Sequence, residues 1–343
     1  WDQHPDQGIV IKAVSGGGGR GMRIVENRDD IAKQYERCRS EASLAFGHDA
    51  VYVEALIQAA RHIEVQVIGD GTGHVVHLWE RDCSAQRQNQ KIIEIAPSPN
   101  LSPTTRQALL DASVQLAAAR DYRGLGTFEF LVDATNTEQF YFIEANARLQ
   151  VEHTVTEAVT GLDLVALQLG VAEGRSLTDM GLDQPVPCQG FAIQTRINME
   201  TPGKKGLFKP TGGTLAVFEP PSGPGIRTDS FGYAGYKTST RYDSLLAKLI
   251  MHSRSDDFQV ASGKAIRALD RFRLEGFAVN IPFLRALLAT DDFTAGNITT
   301  RYIDQHFTAL AEAAAPAVET EATRQGLAGT QLKSKDPLAV LAL

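Results

Sequence analysis

Hydrophobic positions along the chain follow two rhythms. Short runs rich in β-branched and aromatic residues, bounded by Gly, Pro, Asn or Asp, recur as IVIKAV at 9–14, AVYVEAL at 50–56, IEVQVIGD at 63–70 and VVHLWERD at 75–82. They continue as GTFEFLVD at 126–133, FYFIEA at 140–145, GFAIQTRIN at 190–198 and TLAVFEP at 214–220, and such runs predict strands. Apolar residues spaced three and four apart predict helices over 29–45, 103–121, 154–173, 244–251, 258–272 and 281–289. The mixture predicts an α+β fold, with no internal repeat. PPSGPG at 220–225 is expected to be a surface loop between strands.

The most strand-like run leads into FYFIEANARLQVEH, which sets Glu144, Asn146, Arg148, Gln150 and Glu152 at every second position. GTFEFLVD and FYFIEANA flank the turn-prone ATNTEQ, and a hairpin centred between Asn136 and Thr137 places Glu129 opposite Glu144. Like charges in that position repel unless a divalent cation lies between them. Asn146 on the same face offers a further oxygen, a donor set suited to Mg²⁺ or Mn²⁺; the alternative is two solvated glutamates. The same parity brings Arg148, Gln150 and Glu152 together. A guanidinium beside an amide suits a small planar oxyanion, and Glu152 near that anion and apolar neighbours is expected to have a raised pKa and to act as a base. The alternative is an ordinary polar loop.

KAVSGGGGRGMR at 12–23 offers a second candidate. Ser15, Gly16, Gly17, Gly18, Gly19, Arg20 and Gly21 follow a strand and precede another extended segment. Without Cβ atoms, such a loop brings backbone N–H groups close to a polyphosphate. It has neither the Gly-Lys-Ser/Thr ending of a P-loop nor the following helix of a dinucleotide fingerprint. A flexible linker is the alternative, though Lys12, Arg20 and Arg23 argue for phosphate.

Composition sets limits around these candidates. With 343 residues, 43% of them hydrophobic, the chain has material for about two domains and a substantial core. A formal charge of −7 argues against a duplex nucleic-acid partner. No apolar run approaches the ~20 residues of a membrane span, and WDQHPDQG lacks the features of a signal peptide, so a cytoplasmic protein with no membrane partner is expected. Cys38, Cys83 and Cys188 are odd in number and far apart, which suggests idle thiols rather than a disulfide framework or a zinc site. The strand at 9–14 has few residues before it, 309–329 is Ala-, Glu- and Thr-rich, and DPLAVLAL at 336–343 ends on an apolar run. A piece of a larger polypeptide is expected.

In order along the chain, IKAVSGGGGRGM, RHIEVQV, ERDCSAQRQNQKIIEIAP, GTFEF, FIEANARLQVEHTVTE and TRIN resemble biotin carboxylase, an ATP-grasp enzyme, over residues 8 to about 307. The resemblance implies an ATP-grasp fold with the remainder of the lid at 1–56, a C-terminal catalytic domain at 57–307 and a linker at 308–343 towards further carboxylase modules. It implies ATP binding by Lys12, Ser15, Gly16 to Gly19, Gly21, Met22, Glu54, Ile57, His62, Gln86 and Leu131. Two Mg²⁺ or Mn²⁺ ions would lie at Glu129, Glu144 and Asn146. Bicarbonate would meet Lys91, Arg148, Gln150 and the Val151 backbone, and Glu152 would deprotonate it for attack on the γ-phosphate. The carboxyphosphate formed would break down to CO₂ and phosphate; that phosphate would take the N1′ proton of biotin, and Arg196 would stabilise the enolate.

Further implications concern partners. Biotin would arrive on a carboxyl carrier domain and leave for a carboxyltransferase domain, with paired biotin carboxylase domains meeting near Arg227. The tail suggests a multidomain acyl-CoA carboxylase, with pyruvate or urea as alternative acceptors. Three departures stand out: Asn89 where the family usually has histidine, Thr201 where an acidic residue is common, and no N-terminal domain, which in the family supplies a lysine for the phosphates. The rival readings are another ATP-grasp ligase, in which an amine attacks an acyl phosphate, and a non-catalytic scaffold.

Overall fold

The structure, a computed structural model, describes residues 8–16, 21–203, 206–239 and 242–315. Its first unit is a three-stranded antiparallel sheet in which β1 (Ile9–Ala13) lies between β2 (Met22–Val25) and β3 (Val51–Ala55). Helix α1 (Ile31–Phe46) crosses it, burying Cys38 and Ala42, with Cys38 in one cluster with Ile9, Ile11 and Val25. A short 3-10 turn, Arg28–Asp30, forms the start of the helix expected from residue 29. The Gly-rich loop closes where the Ala13 N–H donates to the Gly21 carbonyl at 2.8 Å. Gly21 has φ +69°, and a Cβ there would meet that of Ala13 at 2.8 Å, so glycine is required.

The second unit begins with β4 (Ala60–Asp70) and β5 (Val75–Asp82), the small ribbon β6 (Gln86–Arg87) and β7 (Gln90–Lys91), and β8 (Ile93–Ala96). Helix α2 (Pro103–Ala118) follows, capped by the Ser102 side chain, then the hairpin β9 (Arg123–Asp133) and β10 (Phe140–Asn146). Two helices, α3 (His153–Thr160) and α4 (Leu164–Ala172), precede β11 (Phe191–Asn198). Next come the pair β12 (Glu200–Pro202) and β13 (Phe208–Pro210), then β14 (Val217–Glu219), β15 (Ile226–Ser230) and β16 (Leu245–Ser253). The order ends with α5 (Phe258–Arg271), β17 (Arg273–Glu275), α6 (Ile281–Leu288), α7 (Asp291–Thr294) and α8 (Tyr302–Ala313).

Eight of these strands form one sheet in the order β10-β9-β4-β5-β8-β11-β16-β15, every paired neighbour antiparallel. Ile63, Val65 and Val67 of β4 join Leu109 and Leu110 of α2 and Phe128 and Phe130 of β9 in one core. A larger core gathers residues of β8, β11 and β16 with α5, α6 and α8. Cys38 and Cys83 are buried, Cys188 half-buried, and all three are free.

Three expectations need correcting. Residues 244–251 form strand β16 rather than a helix. A short apolar run fits either period, and hydrogen bonding to β11 on one side and β15 on the other decides it. Residues 154–173 are two helices bent by 100°, because Gly161 leaves the helix at φ +74° and Asp163 caps a new one through the Ala166 N–H. Helix α8 runs to Ala313, past the expected start of the linker, and residues 316–343 lie outside those described. The loop at 220–225 does connect two strands, β14 and β15. No single helix among the described residues is long and apolar enough to cross a membrane.

Candidate active site

Strand β4 lies between β9 and β5, and its alternate residues face opposite ways. With Ile63, Val65 and Val67 in the core, His62, Glu64 and Gln66 turn to the other face, and all six are buried. Register then places Glu144 beside Glu129, Glu129 beside Glu64, and Glu64 beside Arg81. Three carboxylates and a guanidinium thus form one row across four strands. Arg81, fully buried, donates to Glu64 at 2.6 Å, to Gln66 at 2.8 Å and to Thr156 at 3.1 Å, with Thr127 and Gln150 each at 3.3 Å.

Lys91 enters this row from the β6–β7 ribbon. Its turn is Gln88–Asn89, both left-handed at φ +46° and +64°, a conformation suited to two-residue hairpins and tolerated by asparagine. The Lys91 ammonium reaches Glu64 at 2.5 Å, Glu152 at 2.7 Å and Glu129 at 3.2 Å. Glu152 stands at the start of α3 and is buried. Arg196 of β11 binds its other oxygen at 3.1 Å and binds Glu94 at 2.6 Å through Nε. Burial favours the neutral acid at Glu64, but Arg81 and Lys91 outweigh it and hold the carboxyl at about 2. At Glu129 burial is outweighed chiefly by the hydrogen bond from His62, with the charge of Lys91 and the hydrogen bond from Gln150 adding to it, leaving the carboxyl well below the usual range. Burial keeps Glu94 raised despite Arg196.

Glu152 corrects its expectation. Burial and Glu64 push its carboxyl up, yet Lys91, Arg196 and Arg81 bring it below the usual value. The neighbours foreseen were apolar and anionic; three cations stand beside the one carboxylate, Glu64, and outweigh it. Lys91 in turn is raised well above the ordinary amine range, because its carboxylate neighbours overcome burial.

The carboxylate pair has the chemistry of a hard-cation site. The Asn146 amide nitrogen lies 3.0 Å from Glu129 and 3.1 Å from Glu144, so a single donor already stands between the two. Rotation of that amide would present oxygen instead, completing an all-oxygen donor set that fits Mg²⁺ or Mn²⁺. Donor atoms of His62, Glu64 and Glu129 lie within 4.8 Å of one another, but the Lys91 ammonium meets the charge of those glutamates. Gln86 Nε2 sits 2.5 Å from His62 Nδ1, and His62 Nε2 sits 2.7 Å from Glu129. An amide nitrogen only donates, so Nδ1 accepts and Nε2 carries the proton towards Glu129.

Lys91 and Arg196, both half-buried, therefore share one cluster with the buried Gln150, Glu152, Glu129, His62 and Gln86, and Gln150 donates to Glu129 at 2.9 Å. Arg148 stays at the exposed rim and donates to Asn146 at 3.3 Å; it does not join Lys91, because strict alternation ends with β10. Val151 is also at the rim. In the first unit Lys12 pairs with Glu54 and Arg23 with Glu41. Ser15 is exposed, Gly16, Gly21, Met22, Ile57 and Leu131 are half-buried, and Leu131 is the cross-strand neighbour of His62. Gly17, Gly18, Gly19 and Arg20 lie outside the described residues. Thr201 pairs with Lys209 in the β12–β13 ribbon. Glu64, Arg81 and Glu94 were not singled out from the sequence, although the polar parity of RHIEVQV displays Glu64.

Known proteins match this chain in sequence and fold. The family model described as carbamoyl-phosphate synthase L chain, ATP binding domain, matches residues 5–180, and that of the biotin carboxylase C-terminal domain matches 194–305. The biotin carboxylase domain dimer of Hydrogenobacter thermophilus 2-oxoglutarate carboxylase, solved with MgADP, ADP and bicarbonate, superposes with a TM-score of 0.83 at 39% identity, covering 92% of this chain and 67% of that one. The chain belongs to the biotin carboxylase family of ATP-dependent ligases. Pyruvate carboxylase of Aspergillus terreus is 47% identical over 298 residues, 86% of this chain and 24% of its own. A single-chain, multi-domain long-chain acyl-CoA carboxylase is also 47% identical, with a TM-score of 0.73, over 78% of this chain and 29% of that one. This biotin carboxylase segment spans about a quarter of the length of the curated relatives it matches.

Proposed function

We propose that this chain performs the biotin carboxylase half-reaction, the MgATP-dependent carboxylation by bicarbonate of biotin held on a carrier domain. The observation that carries the reading is Glu152 gripped by both Lys91 and Arg196 beside the Glu129–Glu144 pair. Lys91, Arg148, Gln150 and the Val151 backbone receive bicarbonate, and Glu152 takes its hydroxyl proton. A base held below the usual carboxylate range is ionised at rest, and a bound anion that draws on the same two cations raises its affinity for the proton. The freed bicarbonate oxygen bonds to the γ-phosphorus as the bond to ADP breaks. The resulting carboxyphosphate yields CO₂ and phosphate, which accepts the biotin N1′ proton, and Arg196 offers a fixed positive charge to the ureido oxygen. Glu129, Glu144 and Asn146 would hold the metal, which would supply charge that neutralises the phosphates. Lys12, Ser15, Gly16 to Gly19, Gly21, Met22, Glu54, Ile57, His62, Gln86 and Leu131 hold the nucleotide.

Carrier and carboxyltransferase domains belong to this reading as partners on the same polypeptide or assembly, with pairing of two such chains near Arg227. For the acceptor we propose pyruvate first, supported by the 47% identity to pyruvate carboxylases. Acyl-CoA, the acceptor expected from the sequence, is supported by the multi-domain long-chain enzyme at the same identity.

The test is ATP hydrolysis by the longest available polypeptide with and without bicarbonate, while labelled bicarbonate is followed into biotin. Glu152→Gln is expected to abolish labelling and to leave metal–nucleotide binding intact. Undiminished labelling would refute the role of Glu152, and ATP cleavage that responds to an amine instead of bicarbonate would favour another ATP-grasp ligase.

A further inference from the structure

Resting on that reading, we propose that Lys248 is a positioning residue for the base, fixing the Val151–Glu152 peptide while Asp229 and Arg227 hold Lys248 in place. Register sets Arg196, Lys248 and Asp229 side by side on β11, β16 and β15. Arg196 grips the Glu152 carboxylate at 3.1 Å. The next member of the row, Lys248, donates from Nζ to the Val151 carbonyl at 3.1 Å. That oxygen and the Glu152 N–H belong to one planar peptide unit, so holding it fixes the plane from which the Glu152 side chain departs. Val151 precedes the N-cap Glu152, so its carbonyl lies outside the intrahelical hydrogen bonds of α3, and the Val155 N–H goes to the Glu152 carbonyl at 3.3 Å. The lysine supplies a donor to that carbonyl, with the added strength of a charged one.

The row continues outward. Lys248 is largely buried and lies 3.2 Å from Asp229. Arg227 holds both oxygens of Asp229, at 2.7 and 3.0 Å. The same guanidinium reaches Glu157 of α3 at 2.7 Å. Loop and helix on either side of Glu152 are therefore tied to the sheet edge by one chain of charges.

The experiment uses the full-length polypeptide carrying Lys248→Met, Lys248→Arg or Asp229→Asn. Steady-state kinetics and hydrogen exchange of the 147–153 segment are both read. Lys248→Met is expected to raise the KM for bicarbonate about tenfold with the KM for ATP unchanged, the size of effect that follows from small misplacement of a reacting group. It should also speed exchange at Glu152. Lys248→Arg should restore both, and Asp229→Asn should shift both in the same direction by less. Wild-type bicarbonate KM and exchange in Lys248→Met overturn the proposal, as does equal damage to both KM values that Lys248→Arg fails to rescue. Should Lys248→Met not fold, wild-type values in Asp229→Asn overturn it. A wild-type protein without bicarbonate-dependent ATP cleavage sinks the proposed function instead, and exchange alone then decides the role of Lys248.

Discussion

Glu144 lies directly opposite Glu129 because Ile143 is an extra residue in β10. Pairing runs Phe140 with Val132, Tyr141 with Leu131 and Phe142 with Phe130, then shifts so that Glu144 meets Glu129. Without that bulge Ile143 would face Glu129, and Glu144 would turn to the opposite face of the sheet. The two-carboxylate site therefore depends on a single inserted residue.

Glu144→Gln separates the metal role from simple packing. Removing a metal ligand is expected to weaken Mn²⁺ binding in the presence of ATP by at least about tenfold. In metal-free protein the same change relieves like-charge repulsion and should raise stability by about 0.2–1 kcal/mol. Unchanged Mn²⁺ affinity in an electron paramagnetic resonance titration would remove Glu144 from the site.

Acid should unfold the protein through its buried carboxylates. Glu64 is held at about 2 against an ordinary 4.5, so its contribution is complete above the unfolded value and is lost as pH falls through the folded one. Glu129 and Glu152 shift in the same direction. Glu94 shifts upward and contributes oppositely, stabilising below its unfolded value and losing that effect as pH rises. With three depressed groups against one, urea midpoints measured at about pH 6, 4 and 3 should fall steadily; a constant midpoint would contradict the assignment.

Arg81→Met leaves Glu64 buried with Lys91 as its remaining cation. Breaking a buried pair from one side is expected to cost about 3–5 kcal/mol in urea unfolding. The double variant Glu64→Gln/Arg81→Met should cost less than the sum of the two single changes, because the residues share one network. Strict additivity would show that the pair is uncoupled.

Asn89 is placed by backbone geometry. A β-branched residue at φ +64° is strained, so Asn89→Val should lose about 1–2 kcal/mol and weaken bicarbonate binding through Lys91, two residues on. Asn89→His restores the residue usual in the family, which tolerates that backbone. Its expected outcome is unchanged stability with a lower KM for ATP, and a raised KM would show that histidine makes no useful contact here.

The site was legible wherever a rule of neighbours applied. The period of two exposed Glu129, Glu144 and Asn146, even though the hairpin reaches its register by a bulge; Gln150 and Glu152 lie past the end of β10 and are buried by the loop and the start of α3. It failed at Arg148, where the strand has ended, and in the helix expected at 244–251, where an apolar run fits either element until its partners are known. Glu64 was visible by the same parity in RHIEVQV, but a glutamate flanked by isoleucine and valine on a strand reads equally as a solvated face.

By itself the sequence determined the periods and the residues able to carry charge, because these depend on positions a few residues apart. The tertiary structure alone decided that β4 lies between β9 and β5, and that Lys91, Glu152 and Arg196 converge. It also set the sign of the Glu152 shift: a carboxyl in a desolvated site moves up or down according to the charges around it, and those charges come from strands far apart in the chain.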